Sequence, residues 1–424
     1  MNFRNLHINV KIRLVDVFIN SLSTSMYLPF MAIYFSDQIG VKLTGFLMVA
    51  VVLISFGIGL YASYFSDLIG RKPIIQVASL VRLSGVVTMT LANLPEKSST
   101  LATFISFLAI SVCGGIIEPI AEAMVIDSTT QENRKDVYTF MYWLVNLSTV
   151  IGSGIGGFIF SKHLFIILFI SSILSLGSFL QILFFIKDVN PLTSEKKRPL
   201  QPNVLREVCL HYKRVSTDFT FMIFTLATLL FFTLEFQTSN YIGIRLSKEF
   251  HPISLFKLGT YQFTVKGTTM LGLLNVENTL VVVTATLIIG KLIKRFNRFL
   301  CLIGGLIIYT GGFFVLGLSN SFILLVIAGF TATIGEILFW PVRQDYLAEL
   351  IPENARGSYM AVNSFVVRGA SVFASLFITI GAFITPVIVS TIYVILGVIS
   401  IGLFRQSITQ IKLKNVGNVL ESSN

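Results

Sequence analysis

The stretch Tyr64-Phe-Ser-Asp-Leu-Ile-Gly-Arg-Lys-Pro-Ile-Ile75 lies between two apolar segments, each long enough to cross a bilayer. Asp67 closes the first segment, and Gly70 allows a reversal that a Cβ would hinder. Arg71 and Lys72 put positive charge at the membrane face, and Pro73 suits the opening turn of the next helix. These residues predict a tight connection between two helices.

Working outward, the composition sets the solvent. Of the 424 residues, 54% are hydrophobic and only 12% charged, about half the charge of a soluble chain. The apolar runs are near-continuous over roughly 20 residues, which selects helices over an outer-membrane barrel. The chain therefore reads as an all-α integral membrane protein with twelve spans in two six-helix halves. A net charge of +11 would suggest nucleic acid in a soluble protein. Here 22 of the 32 Lys and Arg residues fall in segments that an even-numbered topology gathers on one side, 7 fall on the other and 3 within spans. That asymmetry excludes nucleic acid as the partner and places both termini in the cytoplasm of a multi-pass plasma-membrane protein. The first apolar run lacks a small-residue cleavage site and reads as a retained helix. Cys113, Cys209 and Cys301, like the four His, show neither disulfide nor metal spacing, and no cofactor is implied.

Residues 1–187 form the expected first bundle, 188–218 a basic cytoplasmic linker, 219–404 the second bundle and 405–424 a cytoplasmic tail. The linker carries Lys196, Lys197, Arg198, Arg206, Lys213 and Arg214, which suit anionic headgroups. Asp16, near the start of span one, suits the positive end of the helix dipole. Arg82 in span three and Glu118 in span four come out at one depth, roughly 14 Å from the cytoplasmic side, which predicts an intramembrane ion pair. Glu122 follows Glu118 by one turn on the same face. Span five contains Gly152, Gly156 and Gly157 within Ser148-Thr-Val-Ile-Gly-Ser-Gly-Ile-Gly-Gly157, which lets a neighbouring backbone approach. Glu235 lies in span seven, Glu336 in span ten and Arg368 in span eleven; the last two repeat the acid and base arrangement of Glu118 and Arg82. Asp127 precedes Arg134 by seven residues, as Glu349 precedes Arg356. This weak repeat falls at matching points of the two halves and predicts cytoplasmic charge latches.

Twelve spans, a basic linker and Asp67-Leu-Ile-Gly-Arg-Lys72 resemble the major facilitator superfamily over nearly the whole chain. The family signature has Gly where Ser63 stands and a basic residue where Leu68 stands. The span-five glycines resemble the drug-antiporter signature, with Ser148 and Ser153 in place of Gly and Pro. A closer similarity, to LmrP-type multidrug/proton antiporters, rests on Met124-Val-Ile-Asp127 with Glu132-Asn-Arg-Lys135, on Tyr142-Trp143 with Asn146-Leu-Ser148, on Gly335-Glu336-Ile, and on the long loop after span seven. The resemblance implies functional roles for Asp67, Asp127 and Glu336; Met141 and Gln237 stand where that group has further acids. It also implies gating by Asp67, Gly70, Arg71 and Lys72.

A carboxylate at mid-membrane costs at least about 2.5 kcal/mol unless paired, protonated or wetted. Glu336, Glu118, Glu122 and Glu235 are therefore the candidates for proton and substrate coupling. The expected function is proton-driven export of amphipathic or cationic drugs by alternating access, powered by the proton gradient, by a monomer whose partners are the bilayer, protons and a small amphipathic substrate. A lipid or glycolipid translocator, with Arg82 and Arg368 receiving an anionic headgroup, and a nutrient symporter are the alternatives. An enzyme is disfavoured because no acid, His or Cys cluster has catalytic spacing.

Overall fold

The turn at Gly70 is as tight as its sequence demands. Helix α3 (Val41–Ile69) ends one residue before α4 (Arg71–Leu91), and Gly70 between them has φ of 99°, a region closed to most L side chains. In the computed structural model, residues 6–187, 215–258, 261–293, 295–352 and 356–422 are described. Most of the expected linker, 188–218, lies outside them, as do the side chains of Asp67 and Arg356.

Before α3 come α1 (Ile8–Tyr27), a 3-10 turn at Leu28–Phe30 set by Pro29, and α2 (Met31–Ile39). After α4, a two-residue hairpin pairs β1 (Asn93–Leu94) with β2 (Lys97–Ser98). Then follow α5 (Thr100–Asp127), α6 (Gln131–Ile159) and α7 (Leu164–Phe185). Polar residues set these starts: the Ser99 side chain accepts from the Ala102 N–H, and Thr130 with Asn133 forms a reciprocal capping box. Helix α8 (Phe219–Glu235), capped by Asp218, breaks at Thr238–Ile242, where Asn240 has φ −108° and ψ −105°. Beyond the break lie α9 (Gly243–Glu249), an antiparallel hairpin of β3 (Ile253–Leu258) and β4 (Tyr261–Val265), and α10 (Gly267–Ile293). Helices α11 (Arg298–Leu318), α12 (Phe322–Leu350), α13 (Arg356–Gly381) and α14 (Pro386–Ser422) complete the chain.

Eleven helical stretches among the described residues are long and apolar enough to cross a membrane. The remaining expected span, α1, carries Lys11, Arg13 and Asp16 within its 20 residues. The polar segment after span seven, expected only as a long loop, contains the β3–β4 hairpin.

The chain divides into two compact units, Met1–Lys197 with Gly243–Leu280, and Arg198–Ile242 with Val281–Asn424. The division follows the break after α8, so that α9, the hairpin and the first half of α10 group with the first unit.

Small residues hold each unit together. In the first, a Cβ on Gly152 would lie 2.7 Å from the Leu22 carbonyl oxygen, and one on Gly156 would strike the Met26 carbonyl and the Phe30 ring. A Cβ on Gly157 would lie 2.8 Å from the Gly272 Cα in α10. The three glycines thus seat α6 against α1 and α10. In the second unit, Gly305 of α11 and Gly335 of α12 bring their backbones together in the same way.

Asp16 is an interior hub of the first unit, only 3% exposed, and not a terminal dipole partner. Its Oδ2 accepts from Arg13 Nη1 at 2.9 Å, and its Oδ1 accepts from Asn20 Nδ2 and Ser178 Oγ, both at 2.5 Å. Ser178 Oγ in turn accepts from Arg82 Nη2 at 2.9 Å. Two cations and one carboxylate so share a hydroxyl-bridged network joining α1, α4 and α7.

Gly156→Leu is expected to cost at least about 1–3 kcal/mol, because rigid backbone cannot yield to the new side chain. Gly177→Ala, with open space around it, serves as a control within about 0.5 kcal/mol in detergent thermal unfolding. Asp16→Ala leaves the buried Arg82 and the half-buried Arg13 without their anion and is expected to lower stability by about 3 kcal/mol in the same assay.

Candidate functional site

Two mid-membrane acids of the second unit come together. Glu235 ends α8 and Glu336 lies near the middle of α12; both are half-buried, and each charge bears on the other. The Tyr309 side chain, from α11, lies within the electrostatic reach of both. Its hydroxyl is buried and has no hydrogen-bond partner among the described residues. The Tyr309 ring stacks on Phe231 at 4.3 Å between centroids, and Phe231 stacks on Phe339 at 4.1 Å. The carboxylates are thus set beside an aromatic layer and one idle phenol. The close contact of Gly335 with Gly305 and Tyr309 backbones fixes the turn of α12 that carries Glu336.

Gln237, standing where the resemblance expects an acid, is fully buried. Its Nε2 donates to the Thr233 carbonyl at 3.0 Å, and its Oε1 accepts from the Tyr393 hydroxyl at 3.2 Å. It holds the end of α8 as a neutral group, and the carboxyl group of this region is that of Glu235.

At the other charged sites the structure changes the partners. Asp127, at the end of α5, pairs with Arg71, the first residue of α4. Glu349, one residue before the end of α12, pairs with Arg298, the first residue of α11, at 2.7 Å. The acids do match between the two halves, and each bonds back to the start of the preceding helix; Asp127 does not meet Arg134. Arg134 instead donates to the Ile126 carbonyl at 3.0 Å and to Thr129 Oγ1 at 3.1 Å, closing the negative end of α5. Lys72 follows Arg71 in the first turn of α4 and is half-buried.

Arg82 corrects another expectation. It is 8% exposed and turns inward to Ser178, whereas Glu118 and Glu122 lie on the exposed side of α5. Equal depth is not equal facing, and the Arg82–Glu118 pair is not formed. Arg368 is half-buried on α13.

Two intramembrane groups were missed although their signal was present. Glu277 is a half-buried acid ten residues into α10, in a largely apolar run whose nearest polar neighbours are Asn275, Asn278 and Thr279. The criterion that singled out Glu336 applies to it equally. Arg343 is a cation inside span ten and is 2% exposed. Cys113 and Cys301 are buried free thiols, and among the described residues no group of three or more His, Cys, Asp or Glu could hold a metal.

The model of the Major Facilitator Superfamily matches residues 17–375 and 260–414. A Na(+), Li(+), K(+)/H(+) antiporter of Planococcus maritimus is 26% identical over 392 residues, covering 91% of this chain and 90% of the relative. The multidrug resistance protein MdtH of Edwardsiella ictaluri is 25% identical over 350 residues, 82% of this chain and 80% of the relative. Among solved structures, the POT family transporter PepTSo superposes with a TM-score of 0.72 at 11% identity, covering 96% of this chain and 98% of that one, which speaks for the fold. With a family match spanning most of its length and two helical units around buried charge, the chain belongs to the Major Facilitator Superfamily and is a secondary transporter, not an enzyme.

Proposed function

We propose that this transporter exports amphipathic or cationic molecules across the plasma membrane in exchange for protons, by alternating access. The observation that carries the reading is the Glu235 and Glu336 pair beside the Tyr309 hydroxyl. In a low-dielectric setting two neighbouring carboxylates hold one negative charge at lower cost than two. A proton on the pair and a cationic substrate are then alternative ways of reducing the same charge, so that binding one favours release of the other. The aromatic layer of Phe231, Phe339 and Tyr309 supplies apolar surface for the body of the substrate. Multidrug relatives support this substrate class.

The cytoplasmic pairs Arg71 with Asp127 and Arg298 with Glu349 serve as latches within the two halves, and Asp67, Gly70, Lys72, Arg134 and Arg356 belong to the same gating turns. Glu118 and Glu122 are secondary coupling candidates, with Arg368 an intramembrane basic partner. The lipid-translocator alternative is weakened because Arg82, one of its two headgroup receptors, is committed to Ser178 inside the first unit.

A second reading has its own support. The Planococcus relative is a cation/proton antiporter, and a carboxylate pair also offers hard oxygen ligands to Na⁺, Li⁺ or K⁺.

In everted vesicles with an imposed pH gradient, wild-type protein is expected to accumulate a cationic dye such as ethidium. Glu336→Gln should lower gradient-driven accumulation by about tenfold or more. Gradient-dependent transport that survives both Glu336→Gln and Glu235→Gln removes the carboxylate pair from the coupling role. Tyr309→Phe keeps the ring stack but removes the hydroxyl, and is expected to slow coupled transport severalfold, about 1 kcal/mol in the barrier, with the thermal midpoint unchanged. Addition of NaCl or KCl to energised vesicles separates the substrates: proton release without dye movement would promote the inorganic cation over the drug.

A further inference from the structure

Arg343 heads the fully buried side chains by volume. Nε donates to Thr228 Oγ1 at 3.4 Å, Nη1 to Gln344 Oε1 at 3.3 Å and Nη2 to Asn363 Oδ1 at 2.5 Å. The guanidinium also lies over two rings, 5.6 Å from the Phe224 centroid and 5.4 Å from that of Trp340. Every one of these partners is neutral. Among the described residues, no carboxylate lies within ion-pair distance of Arg343.

Most other buried or half-buried arginines of known contacts behave differently; the exception, half-buried Arg134, is spent on closing the carbonyl end of α5. Arg13, Arg71 and Arg245 each meet a carboxylate, and Arg82 reaches Asp16 through Ser178. A guanidinium has five N–H donors, and Arg343 has three acceptors. Each of its three nitrogens thus has one neutral partner, and an anion would suit the remaining donors and the positive charge.

The site also has a way in. Gln344, which accepts from Nη1, is exposed, and Trp340 is 37% exposed, so the guanidinium lies one side-chain layer beneath the surface of its unit. Glu336, Trp340 and Arg343 follow the i, i+4, i+7 spacing of one helix face. The acid and the base are about 10 Å apart along α12, with the indole between them. The Trp340 indole also meets the Phe232 ring edge-on at 5.5 Å.

We infer that Arg343, with Thr228 and Asn363, receives the anionic group, a carboxylate or phosphate, of an amphipathic ligand whose apolar body lies against Trp340. The amphipathic nature of that ligand rests on the transport reading above, but the anion site does not depend on proton coupling at Glu336. An anion enters when Gln344 and the indole swing aside, and in their present positions those two side chains shield the charge.

The test uses the full chain carrying Trp143→Phe, which leaves Trp340 as the sole tryptophan. In phosphatidylcholine nanodiscs, heavy-atom quenching of Trp340 is titrated with 4-iodobenzoate, 4-iodobenzyl alcohol and 4-iodobenzylamine. The benzoate is expected to bind roughly tenfold or more tightly than the alcohol, as one charge-assisted pair requires. Arg343→Gln should abolish that preference, Arg343→Lys keep part of it and Asn363→Ala weaken it severalfold. Equal binding of the three probes, or a preference that persists in Arg343→Gln, overturns the site. If Arg343→Gln does not fold, the Lys and Asn363→Ala variants decide the matter, and unchanged benzoate preference in both overturns it. Glu336→Gln is expected to leave the benzoate preference intact, so loss of proton coupling and loss of the anion site are read separately. Weaker benzoate binding in discs containing phosphatidylglycerol supports the site with a lipid headgroup as its occupant. Unchanged binding there supports it with a free acid as its occupant.

Discussion

Hydrocarbon cannot solvate a charge, so every ionised side chain in a span must find its compensation within the protein or carry a function. The first unit meets this constraint by sharing: Asp16 takes Arg13 directly and Arg82 through Ser178, which ties three helices to one carboxylate. At the helix ends the same constraint produces two pairs, Arg71 with Asp127 and Arg298 with Glu349. Two places depart from the pattern. Glu235 and Glu336 bring like charges together, and Arg343 buries a charge among neutral groups. Both lie in the second unit, and both carry the functional readings.

The placement of these charges depends on backbone packing that only small residues permit. Gly305 and Gly335 let α11 and α12 approach until the Tyr309 backbone meets the turn before Glu336. That approach sets the phenol beside the acid pair and stacks its ring on Phe231. A larger side chain at either glycine would separate the hydroxyl from the carboxylates without touching any charge. In the first unit, Gly152, Gly156 and Gly157 do the same for α6, whose tight seat against α1 and α10 leaves that unit little freedom to deform.

Local chemistry was legible where one element decides the outcome. The turn at Gly70, the helical class, the glycine face of span five and the presence of Glu336 and Glu235 as acids in apolar spans all follow from short stretches. The repeat of Asp127 and Glu349 was legible as well, because both acids end equivalent helices. Their partners were not: an acid seven residues before an Arg suggests a local latch, whereas Arg134 is drawn to the carbonyls closing α5 and leaves Asp127 to Arg71. Glu277 and Arg343 were visible as charges in apolar runs, yet their surroundings were not.

The sequence by itself determined a helical membrane chain, because hydropathy and single glycines act through the nearest residues and the nearest solvent. The tertiary structure alone decided which charges meet. Depth along a helix can be counted from the sequence, but facing cannot, since it depends on how each helix is rotated against its neighbours. Arg82 and Glu118 share a level and point apart, whereas Glu235 and Glu336, 101 positions apart in the chain, are brought within reach of one phenol.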